Sequence, residues 1–289
     1  MAMLNWPFIG SEAVANGLLR KHELRAQFRT EFPDVYVPKD AVLTLEQRTL
    51  AGWLWSHREG VLAGLTASAW HGAKWVDASS PIELIWPNAR RPRGLRTYEM
   101  RLRSDESSLV RGLRVTTPER TAFDIGRRGR LDDAVARLDA LGNATRFTTE
   151  DVLAVAGRHR GARGLRQLRA ALELYDPGAA SPKETWLRLL VIRAGYPRPQ
   201  TQIPVLSPDG LRRYYLDMGW KNRMLALEYD GEQHRLDPDQ YAYDIQRSED
   251  LAELCWTRLR VVKANRAPDV LHRLERAWHS KLLTDRETL

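Results

Sequence analysis

Apolar and polar positions change period several times along the chain, and each change marks a predicted element. Arg20 to Phe28 carries helical spacing. The stretch Phe32-Pro33-Asp34-Val35-Tyr36-Val37-Pro38 that follows has the aromatic and branched residues of a β-ribbon around a Pro-Asp turn. Residues 44–58 predict a helix with Leu45, Leu50, Leu54 and Trp55 on one stripe. Gly64 to Gly72 has the small residues of a tightly packed helix, and Pro81 to Pro87 alternates like a strand. Gly112 to Asp124 reads as a strand running into a helix start, where Thr117 can cap and Pro118 suits the first turn. Helices are expected around 131–141 and 163–174. Beyond residue 181 the pattern predicts helix 182–195, strands 200–206, 212–218 and 223–229, helix 238–254, strand 257–263 and helix 267–283.

The stretch Asp176-Pro177-Gly178-Ala179-Ala180-Ser181-Pro182 is the clearest linker. The expected fold is therefore α+β in three parts: a winged-helix-like segment over 1–43, an α/β body over 44–178, and a three-layer α/β/α domain over 179–289. At 289 residues, size does not limit these cores. The net charge of +8 is uneven, because residues 1–180 hold 27 Lys/Arg against 21 Asp/Glu and the remainder is nearly balanced. That places the better electrostatic partner for a polyanion in the amino-terminal part, although solvated arginine-rich faces give the same composition. Cys255 is the single cysteine, so no internal disulfide or Cys-based zinc site can form, and a reducing cytoplasm is expected. No apolar run approaches the ~20 residues of a membrane span, so no membrane partner is expected.

The densest chemistry lies in Tyr214 to His234. Asp217 closes one apolar run, and Met224 to Leu227 form a second that ends in Glu228 and Asp230. Two strands joined by Lys221-Asn222-Arg223 bring these carboxylates side by side, where they repel unless positive charge sits between them. A hard divalent cation, Mg²⁺ or Mn²⁺, suits an all-oxygen site held by Asp217, Glu228 and Asp230. Its chemistry would be metal-assisted phosphodiester cleavage. Asp230 before Gly231 also suits a hydrogen-bonded turn, and Glu184 in the first turn of its helix also suits the helix dipole. His234, with an ordinary pKa of ~6.5, is a candidate to activate water, or a surface partner of Asp237. Arg247, three residues after Asp244, is either half of a surface ion pair or a phosphate contact.

The ordered set Ser181-Pro182-Lys183-Glu184, Asp217, Glu228-Tyr229-Asp230-Gly231 with His234, Asp244-Ile245-Gln246-Arg247 and a final strand resembles the PD-(D/E)XK nucleases, near the very-short-patch-repair endonucleases. The resemblance covers about 181–280 and implies catalytic roles for Glu184, Asp217, Glu228, Asp230, His234 and Arg247. It departs where most members place a Lys two residues after the Glu, since this chain has Asp230, leaving Arg247, Lys263 or His234 to supply that charge. Cys255-Trp256 also departs from the usual Gly-Trp.

Residues 1–175, through Leu65-Thr66-Ala67-Ser68-Ala69-Trp70-His71-Gly72, Pro81 to Pro87 followed by arginines, and Val115-Thr116-Thr117-Pro118-Glu119-Arg120-Thr121-Ala122-Phe123-Asp124, resemble AbiEi-type antitoxins and regulators of type IV toxin–antitoxin systems. These strings show no catalytic chemistry. Glu119, Arg120 and Asp124 read as a structural ion cluster, and His71, with no second ligand at metal spacing, as a core histidine. Arg20, Lys21, Arg25 and Arg29 of the winged-helix-like segment, and Arg90, Arg91 and Arg93, are the candidate DNA contacts. Two functions remain open at this level: a metal-dependent DNA endonuclease with a DNA-binding front end, or a catalytically silent DNA-binding regulator or antitoxin. The implied partners are DNA and a cognate toxin or a repair or defence protein, with a homodimer compatible with double-strand cutting.

Overall fold

The computed structural model describes residues 6–88, 90–230 and 238–287 and divides the chain into two compact units, Met1–Glu173 and Leu174–Leu289. Both mix helices and sheets, as expected for α+β.

The first unit opens with β1 (Phe8–Ile9), α1 (Gly10–Ala15), α2 (Lys21–Gln27), β2 (Phe28–Phe32) and β3 (Val35–Pro38). The strands form an antiparallel sheet in the order β1-β3-β2. The 20–28 helix and the ribbon lie where the pattern puts them, whereas β1 and α1 carry too short a signal to be read. Phe8 meets Phe28 edge-on at 5.0 Å over Ala13, Leu19 and Leu24. Gly10 is required for this closeness: a Cβ there would lie 2.4 Å from the Tyr36 ring. Asp34 accepts from the Ser11 amide at 2.9 Å, tying the ribbon turn to the start of α1.

The body of this unit follows as α3 (Leu45–Trp55), β4 (Val61–Leu62), α4 (Gly64–Trp70), β5 (Ile82–Ile85), β6 (Leu95–Tyr98), β7 (Ser107–Val110), β8 (Leu113–Thr116), α5 (Pro118–Gly126), α6 (Leu131–Thr145), α7 (Thr149–Arg158) and α8 (Leu165–Leu174). Its five strands run β6-β5-β4-β8-β7, with β5–β6 and β4–β8 parallel. Thr44 starts α3 with a reciprocal cap: its hydroxyl accepts the Gln47 amide at 3.2 Å while Gln47 accepts the Thr44 amide at 2.9 Å. The α3 residues Ala51 and Trp55 pack on Leu62, Ile82, Leu84 and Val115, and Phe32 and Val35 of the ribbon join the same core. Each such fully buried large side chain contributes roughly 1.5–3 kcal/mol.

The second unit is α9 (Pro182–Arg193), β9 (Gln200–Leu206), β10 (Arg213–Trp220), β11 (Leu225–Asp230), α10 (Pro238–Glu253), β12 (Thr257–Val262) and α11 (Ala267–Glu287). All seven elements appear in the predicted order. The sheet runs β12-β11-β10-β9, antiparallel except for the parallel β11–β12 pair that α10 connects. Met218, Trp220, Leu225 and Leu227 pack against Leu187 and Val191 of α9 and Val270 and Leu274 of α11. Tyr214, Leu216 and Ala226 pack instead with Leu251 of α10 and Trp256. Within β10 the packing partner therefore changes between Leu216 and Met218, at Asp217. The pairs Leu216↔Ile203 and Met218↔Thr201 set Gln202 opposite Asp217, and Gln202 is held at a left-handed φ of 48°.

Candidate functional site

Asp217 sits at that change of face, on the middle strand pair. The pairing Met218↔Leu227 sets Asp217 beside Glu228, and the Tyr229 amide donates to Asp217 Oδ2 at 2.8 Å. Glu228 is 5% exposed and Glu184 is 8% exposed. Glu184 lies in the first turn of α9, where its carboxylate accepts from the Ala180 amide and the Ser181 hydroxyl, both at 2.9 Å. Ser181 in turn accepts the Glu184 amide at 3.2 Å, so Glu184 is a capping residue as well as a buried acid.

Burial, reinforced by Glu184 and Glu228, pushes the Asp217 carboxyl up to about 7, against the pull of the Tyr229 amide and Arg247. Burial likewise raises the Glu184 carboxyl above the ordinary range, against its two hydrogen bonds. The acids predicted at the strand ends are therefore close enough to oppose one another's ionisation.

Two guanidinium groups answer this charge. Arg247 of α10 pairs with Glu228 Oε1 and donates to the Tyr215 carbonyl at 2.9 Å. Arg258 of β12 pairs with Glu228 Oε2 at 3.2 Å and donates to the Ser248 hydroxyl at 2.7 Å. Burial depresses the Arg258 pKa, and Arg247 and Arg260 add to the effect, while Glu228 works against it. Arg258 is the site residue that the sequence reading missed. The signal was a pair of arginines at alternate positions of an otherwise apolar strand, Thr257-Arg258-Leu259-Arg260-Val261-Val262. Asp230 faces Arg260 at 3.7 Å, on the flank of the cluster. Asp250 is engaged elsewhere, accepting from Tyr214 at 2.5 Å and Gln246 at 2.8 Å. Lys221 and Lys263 are exposed. His234 and Gly231 lie outside the described residues.

The donor set of Asp217 and Glu228, with Glu184 near, is all-carboxylate, the donor type a hard divalent cation takes, but Arg247 and Arg258 already supply positive charge at Glu228. Both oxygens of Glu228 already hold arginine, so an entering cation exchanges with a guanidinium. Among the described residues no three His, Cys, Asp or Glu side chains stand as a metal-holding group.

In the first unit, Arg20, Lys21 and Arg25 are exposed at and along α2, and Arg90, Arg91 and Arg93 are exposed on the loop between β5 and β6. Arg29 differs from its expected phosphate-facing role. It pairs with Glu31 at 2.6 Å and donates to the Ala41 carbonyl at 3.1 Å, because β2 sets Arg29 and Glu31 two residues apart on one side of the strand. The ion cluster at the start of α5 also differs in one member. Arg120 bonds Asp124 at 2.9 Å, but its second acid is Glu106, at 2.5 Å, from the turn before β7. Glu106 also meets His159 at 2.7 Å, and Asp124 meets Arg127 at 2.7 Å and Arg128 at 3.2 Å. Thr117 caps α5 and Pro118 opens it, as read from sequence. His71 bonds the Thr116 carbonyl at 2.8 Å, in keeping with a core histidine.

Residues 60–174 match the AbiEi antitoxin C-terminal domain family. Two uncharacterized proteins of Mycobacterium tuberculosis, MT2308 of strain CDC 1551 and Rv2248 of strain H37Rv, are each 31% identical over 153 residues. That alignment covers 53% of this chain and 56% of each relative, so the chain spans about half the length of the curated relatives it matches. The crystal structure of the RV2827C protein from Mycobacterium tuberculosis aligns at a TM-score of 0.37 and 16% identity, over 65% of this chain and 76% of that one. Among the described residues no helix is long and apolar enough to cross a membrane.

Proposed function

We propose that this protein is a DNA-binding regulator of the antitoxin type, acting in the cytoplasm with a cognate toxin as its functional counterpart. The observation that carries the reading is the match of residues 60–174 to the AbiEi antitoxin C-terminal domain. The amino-terminal topology supports it. Two short helices and a three-stranded antiparallel sheet in the order β1-β3-β2 are the parts of a reduced winged helix, and Arg20, Lys21 and Arg25 give its second helix a basic exposed face. In this reading residues 1–43 contact the duplex, 44–178 form the antitoxin body, and 179–289 add a nuclease-like fold. Arg90, Arg91 and Arg93 offer further phosphate contacts. The test is fluorescence anisotropy with a duplex from the upstream region of its own gene, across a salt series. Tight binding that falls steeply with salt supports the reading, and equal weak binding to every duplex refutes a regulatory role.

A second reading is carried by one arrangement, Asp217 set beside Glu228 with Glu184 close enough to oppose its ionisation. Asp217 and Glu228, with Asp230 alongside, would hold Mg²⁺ or Mn²⁺, and the ion would supply Lewis acidity for phosphodiester hydrolysis. Glu184 would brace the acids, and Arg247 would stand where related nucleases use Lys. Supercoiled-plasmid nicking that needs Mg²⁺ or Mn²⁺ and disappears in Asp217→Ala supports this; intact plasmid with either ion sinks it.

A further inference from the structure

We propose that Arg258 takes the place of a divalent cation in the second unit, so that the cluster of Asp217, Glu184 and Glu228 is held together without a metal. The donors already turned on these acids carry the proposal. Glu228 Oε1 pairs with Arg247, and Glu228 Oε2 pairs with Arg258 at 3.2 Å. Glu184 gives one oxygen to the Ser181 hydroxyl and the other to the Ala180 amide, both at 2.9 Å. Asp217 Oδ2 accepts the Tyr229 amide at 2.8 Å. Five of the six carboxylate oxygens therefore have a donor from this chain. An all-oxygen cation site needs its oxygens turned towards one ion. Here they turn to donors at the start of α9, on β11, on α10 and on β12.

Arg258 is anchored on both arms of its guanidinium. Its side chain is 12% exposed, Nη1 meets Glu228, and Nη2 donates to the Ser248 hydroxyl at 2.7 Å. Ser248 in turn donates to the Asp244 carbonyl at 2.7 Å. Arg247 extends the chain of contacts from Glu228 to the Tyr215 carbonyl, at 2.9 Å. One carboxylate thus joins α10, β12, β11 and β10, which is the neutralising and cross-linking work that an ion does between acids. A guanidinium keeps its charge at any physiological pH and holds its donors in a fixed fork, so it can do both. A divalent cation brought to Glu228 would stand beside two groups of like charge. Evicting either arginine would leave a buried guanidinium without its acid. The proposal rests on the antitoxin reading for a second unit that has no cleavage to perform, and it competes with the nuclease reading.

The experiment titrates Mn²⁺ into the full chain and reads bound ion by electron paramagnetic resonance, with thermal melts in MnCl₂ against NaCl of equal ionic strength. The wild type is expected to show no saturable binding up to millimolar Mn²⁺ and no Mn²⁺-specific shift of its melt. Arg258→Ala should melt lower and gain saturable binding, roughly tenfold or more tighter than any weak uptake by the wild type. It should recover part of its lost stability in Mn²⁺ but not in NaCl. Adding Asp217→Asn to Arg258→Ala should remove the binding, which locates the ion. Arg258→Lys keeps the charge and should stay free of Mn²⁺. If Arg258→Ala does not fold, Arg258→Gln takes the same measurements, and the wild type still decides: saturable Mn²⁺ binding that Asp217→Asn abolishes overturns the proposal. So does a folded Arg258→Ala that gains no Mn²⁺ binding, because the arginine then fills no cation's place. Plasmid nicking and duplex anisotropy are read on the same samples. Mn²⁺-dependent nicking by the wild type overturns this proposal and favours the nuclease reading, whereas absence of duplex binding falls on the antitoxin reading alone.

Discussion

The Tyr229 amide donates to Asp217 Oδ2 at 2.8 Å, which fastens β10 to β11 where Asp217 meets Glu228. A backbone donor favours the ionised carboxylate, yet burial and the neighbouring acids outweigh it and carry the pKa to about 7. One hydrogen bond therefore fixes the position of Asp217 without fixing its charge.

The pH dependence follows from that balance. A carboxyl whose folded pKa lies above its unfolded value binds its proton more tightly in the native state. Its protonation stabilises the fold, and stability falls as pH rises from the unfolded pKa near 3.8 to about 7, then levels off. Asp217→Asn should keep the Tyr229 contact and remove the repulsion. Its stabilisation should be absent at low pH, grow through this window and reach on the order of 4 kcal/mol by pH 8. Urea denaturation at several pH values checks the slope, and a pH-independent difference would contradict it.

The first unit should show the opposite slope. Burial works to raise the Glu106 carboxyl, but His159 and Arg120 together hold it below the usual range. A depressed acid contributes stability above its unfolded pKa near 4.5, and that stability is lost as pH falls through the lower folded value. Arg120→Met leaves the buried Glu106 to His159 and the buried Asp124 to Arg127 and Arg128, and should cost about 1–3 kcal/mol at pH 7. Denaturant midpoints of the variant at pH 7 and pH 4 should converge.

Arg247 and Arg258 make separable contributions at Glu228. After the Tyr229 amide, Arg247 is the second group that lowers the Asp217 pKa, so Arg247→Gln should raise the Asp217 titration above about 7. Arg258→Gln removes the buried partner of Glu228 Oε2 and should cost roughly 1–3 kcal/mol. Carboxyl carbon NMR titration reads the first effect, and thermal melts the second.

Arg25→Ala should weaken duplex binding about equally across sequences and reduce the salt slope by roughly one unit. Arg29→Ala should act differently. Its loss from Glu31 and Ala41 loosens the ribbon, so the thermal transition should drop along with affinity. Anisotropy at three salt concentrations alongside melts distinguishes the two.

What was legible in the sequence depended on how local the cause is. The seven elements of the second unit announce themselves through apolar runs broken by Gly, Pro and charged turns, and Ser181 and Thr117 act as caps within three residues of their targets. Asp217 and Glu228 were legible because one hairpin joins them. Arg258 was not, because it reaches Glu228 only through the parallel pairing of β11 and β12 across a long connection. Glu106 was hidden for the same reason: it stands 14 residues before Arg120 and 53 before His159. Arg29 was read as a phosphate contact because its partner Glu31 faces it only once β2, beginning at Phe28, sets the two on one side of the strand. Nothing in Thr201-Gln202-Ile203 foretells the left-handed Gln202, which answers the change of face across the sheet.

The parallel pairing has a further consequence for how the second unit assembles. Arg247 and Arg258 both arrive on a single excursion of the chain, after β11 leaves the sheet and as β12 returns to it. The β9–β10–β11 meander can form from local contacts, but until the excursion closes it carries crowded acids with no counter-charge. Closure of the connection and neutralisation of Glu228 are thus coupled, since Arg247 of α10 and Arg258 of β12 both reach Glu228 only when the connection is closed.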